Sequence, residues 1–339
     1  MNKLFQHITL FFTVSVLFYS CMREPDIHPN TNRGNFEALW KIIDTRYCYL
    51  DYKGIDWNDV HERYSARIDT VSNKYGLFDL LGEMLRELKD GHVNLYSEFD
   101  ISRYTEWYSS YPANFNSSIL YKERYLGSNY RIAGSMRYRA IADNQVGYIY
   151  YGSFSNSFSD THIRSIFEIF KNCKGLIIDV RNNGGGLVTN AEKLASYFFK
   201  EKTLTNYITH KSGPGHSDFS KPTAVYTDAH EKIKWKRPVI ILTNRLSYSA
   251  TNDFVSRMKY APHATIIGDK TGGGGGMPLS SELPNGWMVR FSASPTYDVE
   301  MNNIEWGIDP DEKVDMLQKD EENGYDSIIE AAISLILAK

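Results

Sequence analysis

The stretch Gly175-Leu176-Ile177-Ile178-Asp179-Val180-Arg181-Asn182-Asn183-Gly184-Gly185-Gly186 joins an apolar run to a run of glycines. Leu176 to Val180 hold one charged residue, so they read as a strand buried on both faces. The glycines that follow let backbone N–H groups approach a ligand without side-chain obstruction. Beyond them Ala191, Leu194, Ala195 and Phe198 fall at helical spacing. The same order recurs at Val239-Ile240-Ile241-Leu242-Thr243, a second buried strand, followed by Ser247-Tyr248-Ser249-Ala250 and a helix through Phe254, Val255 and Met258. Upstream, Val146, Tyr148 and Tyr150 alternate as a strand before a helix with Ile163, Ile166, Phe167 and Phe170. Strands alternating with helices predict a parallel α/β core with its sites at the strand ends. Neither glycine run continues into Gly-Lys-Ser/Thr, which disfavours a phosphate loop, and the dinucleotide spacing is absent.

Outward from this core, three amphipathic helices are expected across residues 34–90, the first capped by Asn35 and the third ended by Gly91. Tyr104, Trp107, Tyr108, Tyr111, Phe115, Tyr121, Tyr125, Tyr130 and Tyr138 follow without a clean period, as a strand-and-loop connector. Met277 to Ser294, with Pro284-Asn285-Gly286 between its halves, reads as a hairpin, and Ile328, Ile329, Ala332, Ile333 and Ile336 as a core-facing final helix. The expected organisation is a signal peptide at 1–20, a tether at 21–33, a helical subdomain at 34–99, the connector at 100–144 and the catalytic core at 145–339.

The chain has 339 residues, 38 Lys plus Arg against 41 Asp plus Glu, and a net charge of −3. That balance excludes a nucleic-acid binder working by bulk charge. Cys21, Cys48 and Cys173 are too few for a disulfide scaffold, and Cys48 and Cys173 are expected to be buried and free. His210 and His216 lack the acid or cysteine neighbours in sequence that a metal site needs, so no metal and no cofactor are expected. Lys3, the apolar run from Ile8 to Tyr19 and Ser20-Cys21 have the layout of an export signal. Ser20-Cys21 resembles the lipobox of bacterial lipoproteins, with Phe18 and Tyr19 departing from its usual small or aliphatic residues. That resemblance implies lipidation of Cys21, membrane contact through that anchor only, and a location in the bacterial cell envelope.

Ser249 stands where a buried strand gives way to a helix, so its hydroxyl lies near unpaired N–H groups that can hold an oxyanion. By itself the residue could equally be a helix cap. Five blocks in order narrow the choice: Leu88 to Val93, Gly175 to Gly186, Leu242 to Phe254, Gly268 to Gly272 and Glu305 to Asp311. Together they resemble the C-terminal processing (tail-specific) serine peptidase family, closest to its tricorn-core-like branch. The resemblance implies a crotonase-like (ClpP/crotonase-type) α/β core of β-β-α units with an N-terminal helical subdomain, and hydrolysis of peptide or protein substrates.

Carried onto this chain, Ser249 matches the nucleophile, and the N–H groups of Gly185 and Ala250 match the oxyanion hole. Gly274 stands where many relatives have a lysine base, which leaves His92 as the expected base, Glu305 as its acidic partner and Lys270 as a fallback. Gly91 replaces the serine that precedes the histidine in the tricorn-like branch, leaving Glu305 or a backbone carbonyl to orient the ring. The residues between His92 and Val146 are too few for the PDZ module of many relatives, so the aromatic connector stands in its place. A noncatalytic module binding lipophilic ligands or peptides, resembling the repeats of interphotoreceptor retinoid-binding protein, is the alternative on the same fold.

Overall fold

A computed structural model describes residues 28–338; the export signal and Cys21 lie outside the described residues. Helices Asn32–Arg46, Leu50–Lys53, Trp57–Ile68 and Lys74–Arg86 open the chain. Thr31, not Asn35, caps the first, because its hydroxyl accepts from Gly34 N. Asn35 is buried inside that helix, and its side chain instead accepts from the backbone N–H of Asn285 in the hairpin turn. The last of the four helices ends at Arg86 with Glu87 as its cap, and the left-handed residue after it is Lys89, so Gly91 is not a helix terminator.

Two sheets follow. Strands β1 (Asn94–Tyr96) and β2 (Ile101–Arg103) come first, then β3 (Arg131–Ala133), β4 (Met136–Ile141), β5 (Val146–Tyr150) and β6 (Gly175–Asp179). After them run β7 (Thr203–Ile208), β8 (Thr223–Thr227), β9 (Val239–Thr243), β10 (Ala264–Gly268), β11 (Gly276–Glu282), β12 (Met288–Tyr297) and β13 (Glu312–Lys313). One sheet has the order β13-β10-β9-β6-β5-β4-β3, parallel from β13 to β5 and antiparallel beyond. In the other, β2, β1, β12, β7 and β8 are antiparallel neighbours and β11 pairs with β12 as the expected hairpin, Gly286 taking the positive φ of its turn. The mixed α/β class read from the strand and helix alternation is what the chain adopts.

Burial explains the arrangement. On β9, Ile241 faces one apolar cluster with Phe254 and Val255 of the helix Ala250–Met258, while Ile240 and Leu242 face another with Ile328, Ile329 and Ile333 of the helix Ser327–Leu337. Alternate residues of a strand point to opposite faces, so a strand apolar throughout requires a cover on each. The front helices share a third cluster with Leu95, Val289 and Phe291 of β1 and β12. The boundary expected at 99/100 therefore falls inside the β1–β2 pair, and β3 and β4 of the connector extend the parallel sheet rather than standing apart from it. Cys48 and Cys173 are buried, free and in different clusters.

Candidate active site

The two strand-to-helix turns meet at the ends of β6 and β9. Asp179 and Arg181 hold the first in shape: the guanidinium donates twice to Asp179, at 3.0 and 2.6 Å, and reaches Asp326 at 2.9 Å, all fully buried. Burial works to lower the Arg181 pKa, but the two carboxylates outweigh it and keep the side chain charged. Asn183 then ties the turns together. Its side-chain oxygen accepts from Gly185 N (3.0 Å), its amide donates to Tyr151 O, and its backbone carbonyl accepts from Tyr248 N. Asn244 bonds Asn182 through both ends of its amide, at 2.9 and 2.7 Å. Family resemblance marked the block that holds these asparagines; their spacing alone carried no signal.

Ser249 is the half-buried residue before the helix Ala250–Met258, with φ 59° and ψ −120°. For a residue with a Cβ this conformation is strained, by about 1–3 kcal/mol, and it persists only where neighbours over-determine it. Here Ser249 N donates to Gly273 O at 2.9 Å, and Asp253 N donates to Ser249 O. The result turns the hydroxyl toward His92: Nε2 lies 2.8 Å from Ser249 Oγ. The two candidates, 157 residues apart in sequence, are in direct hydrogen-bond contact.

His92 is buried, with its backbone N–H donated to Asp90 Oδ1 at 2.8 Å. Burial pushes its pKa down to about 4, opposed by the negative charge of Asp90 and helped by the positive charge of Arg290. The imidazole is therefore neutral near pH 7, the form that accepts a proton. Among the described residues Nδ1 makes no hydrogen bond, although the Gly276 carbonyl lies near enough to favour the protonated ring. The orienting contacts are aromatic: Tyr248 lies 4.9 Å from the imidazole centroid to centroid, and Trp107 of the connector stacks on Tyr248 at 4.1 Å.

Glu305 takes a different place from the one expected. Its Oε1 accepts from Lys53 Nζ at 2.8 Å and its Oε2 from Gly275 N at 3.0 Å, so it braces the glycine loop rather than the imidazole. Asp90 lies 3.5 Å from the same ammonium and also accepts from Tyr47 and Ser292, each at 2.9 Å. Three ionisable side chains thus share one buried site behind the turn that carries Ser249. Burial, then the charge of Asp90, pushes the Glu305 pKa up to about 8 against the pull of Lys53. For Asp90 burial works upward too, but Lys53 and the donors around it prevail and hold it below the usual carboxylate range. Lys53 carried no chemical signal in the sequence; only the fold brings it to residues 90 and 305.

Four further positions have a definite geometry. Gly185 has φ 98° and packs so closely that a Cβ there would come within 2.8 Å of Ala250 N; its own N–H is taken by Asn183. Gly186, one residue on, lines the cleft with Ala250. Lys270 pairs with Asp309 at 3.2 Å and is not the partner of Ser249. A side chain at Gly274 would start 2.5 Å from the Tyr248 ring, at φ 76°, so the usual lysine position is closed. Gly91 is explained in the same way: a Cβ there would sit 2.5 Å from Trp107 Nε1 and 2.8 Å from Tyr248 Oη. Trp107 and Tyr248 crowd the place of the missing serine.

His92 and Ser249 open into a cleft of about 420 Å³. Gly186, Leu187, Ala250, Met277 and Arg290 are among its walls, and Leu187 and Met277 are exposed apolar side chains.

The model of peptidase family S41 matches residues 145–314, and that of the tricorn protease C1 domain matches residues 28–86. A crystallised candidate peptidase from Parabacteroides merdae is 52% identical, with a TM-score of 0.87, over 91% of this chain and 97% of that one. The carboxy-terminal processing protease CtpB of Bacillus subtilis is 26% identical over 155 residues, 45% of this chain and 30% of its own length. The carboxyl-terminal-processing protease of Synechocystis sp. is 27% identical over 172 residues, 50% of this chain and 38% of its own. This chain spans about a third of the length of such curated relatives. The family match covers both strand-to-helix turns, from the strand before Gly185 to the helix after Ser249, and the chain belongs to peptidase family S41.

Proposed function

We propose that the chain is a serine endopeptidase of the bacterial cell envelope, anchored through lipidated Cys21, that cleaves peptide bonds in peptide or protein substrates. The observation that carries the chemistry is the 2.8 Å contact between His92 Nε2 and Ser249 Oγ. His92 takes the hydroxyl proton as Ser249 Oγ attacks the scissile carbonyl, forming a tetrahedral oxyanion. The N–H of Ala250, at the positive end of its helix, and an N–H of the glycine run Gly184 to Gly186 stabilise that charge. His92 then gives its proton to the leaving amine, the C–N bond breaks, and an acyl-enzyme remains on Ser249. Water, deprotonated by the same imidazole, releases the acid.

Glu305, with Lys53 and Asp90, acts in this reading on the loop that holds the nucleophile and not on the imidazole. The repeated strand–turn–helix units at β6 and β9 support a crotonase-type core, and the front helices with the aromatic connector complete it in place of a PDZ module. A fluorophosphonate probe tests the proposal: wild type is labelled, Ser249→Ala is not, and His92→Gln is labelled at least about a hundredfold more slowly. Wild type that stays unlabelled overturns the enzyme reading in favour of a binding module.

A further inference from the structure

Four ionisable side chains line the cleft: His92, Asp253, Arg257 and Arg290. Asp253 and Arg257 cancel, since Arg257 Nε donates to Asp253 Oδ2 at 2.7 Å and its Nη1 to Thr227. His92 is held neutral by burial. That leaves Arg290, which is half-buried and has no ion pair and no side-chain hydrogen bond among the described residues. The cleft therefore carries one uncompensated positive charge.

The register places this charge beside the reacting groups. Arg290 is paired with Asn94 across β1 and β12, and His92 lies two residues before Asn94. His92 lies in the turn just before β1, and Arg290 lines the same cleft, close enough for its positive charge to act on the imidazole. Two residues along β12, Ser292 shares the face of Arg290 and reaches Asp90 beside His92. A guanidinium half-removed from water with its donors unspent favours a planar anion that can take two parallel N–H bonds.

We propose that Arg290 binds a carboxylate of the peptide substrate, within reach of the Ser249 hydroxyl, and selects substrates that bear one close to the scissile bond. This rests on reading the Ser249 cleft as the peptide site. The carboxylate can be the C-terminus of a chain or an aspartate or glutamate side chain, since both present the same planar group. The apolar walls at Leu187, Met277 and Ile304 would take the uncharged part of the peptide.

Binding to the Ser249→Ala protein tests this without requiring turnover. Three probes are compared by calorimetry: acetyl-Ala-Leu-Ala-Ala with a free C-terminal carboxylate, the same peptide as its C-terminal amide, and the amide with Asp as its last residue. The expected result is about tenfold tighter binding of a carboxylate peptide than of the plain amide. That preference is lost in Ser249→Ala/Arg290→Gln and partly kept in Ser249→Ala/Arg290→Lys. A gain by the free terminus alone identifies the C-terminus as the source; a gain by the Asp amide as well makes the site a general carboxylate subsite. Equal binding of all three probes, a preference that survives Arg290→Gln, or no saturable binding overturns it. Fluorophosphonate labelling of wild type then separates this failure from failure of the peptidase reading, because labelling needs Ser249 and His92 but no carboxylate.

Discussion

Glu305 reaches Lys53, not His92: its Oε1 accepts from the Lys53 ammonium at 2.8 Å while Oε2 accepts the N–H of Gly275. A carboxylate that holds the imidazole and one that holds the loop behave differently when neutralised. Glu305→Gln keeps a hydrogen-bond acceptor for Gly275 and is expected to lower kcat by about tenfold or less. Removing the aspartate of a Ser-His-Asp triad costs about ten-thousandfold. Steady-state kinetics distinguish the two, and a loss near the larger figure would return Glu305 to the imidazole.

The same residue gives stability a pH dependence. Its folded pKa, about 8, lies above the ordinary glutamate value of 4.5, so its contribution is fully present below about pH 4.5 and is lost as pH rises through about 8. Melting temperature against pH should show a fall over that window in wild type. Glu305→Gln should flatten it, and an unchanged slope would mean that another group titrates there.

His92 carries the opposite sign. Its folded pKa of about 4 lies below the ordinary 6.5, so its stabilising share is present above pH 6.5 and fades as pH falls toward 4. The neutral imidazole likewise persists into mild acid. Fluorophosphonate labelling measured against pH should stay on its plateau down to about pH 5, where a solvent-exposed histidine would already have lost most of its neutral form. A midpoint near 6.5 would contradict the burial-driven shift.

At Ser249 the backbone strain and the chemistry can be separated. Ser249→Ala removes the hydroxyl and keeps a Cβ at φ 59°, whereas Ser249→Gly removes both. Ser249→Gly is therefore expected to melt higher than Ser249→Ala, by the equivalent of about 1 kcal/mol or more, with neither variant labelled. Equal melting temperatures would indicate that the turn relaxes.

Gly91→Ser, which would restore the serine of the tricorn-like pattern, is expected to cost about 1–3 kcal/mol, because the new Cβ meets Trp107 and Tyr248. Trp107→Ala should relieve most of that cost, so the double variant is less destabilised than the sum of the singles. Denaturant melts of the four proteins measure the coupling; additive losses would mean that Trp107 is not what excludes the side chain.

The sequence specified β6, β9, the β11–β12 hairpin and the last helix because each carries a local signature: an apolar run, a turn residue with positive φ, or helical spacing. Ser249 and His92 stood out through short blocks in a fixed order, and the fold brings the two side chains into contact. Asn35 misled because a buried asparagine inside a helix looks, locally, like a helix cap. A run of three glycines does not say which N–H a neighbour takes; in the fold Asn183 accepts from Gly185 N.

What the chain alone determined is therefore the α/β class, the two turns and the candidate pair Ser249 and His92, which the structure brings into contact. The tertiary structure decided the rest: that Lys53 bridges Asp90 and Glu305 behind the site, that Trp107 and Tyr248 take the place of a missing serine and a missing lysine, and that Arg290 has no ion pair among the described residues. Pairings between residues 37 to 252 positions apart leave no periodic trace in a sequence. They are set by which surfaces the sheets and front helices bury together, and by the cost of leaving a charge or a polar group unpaired where they meet.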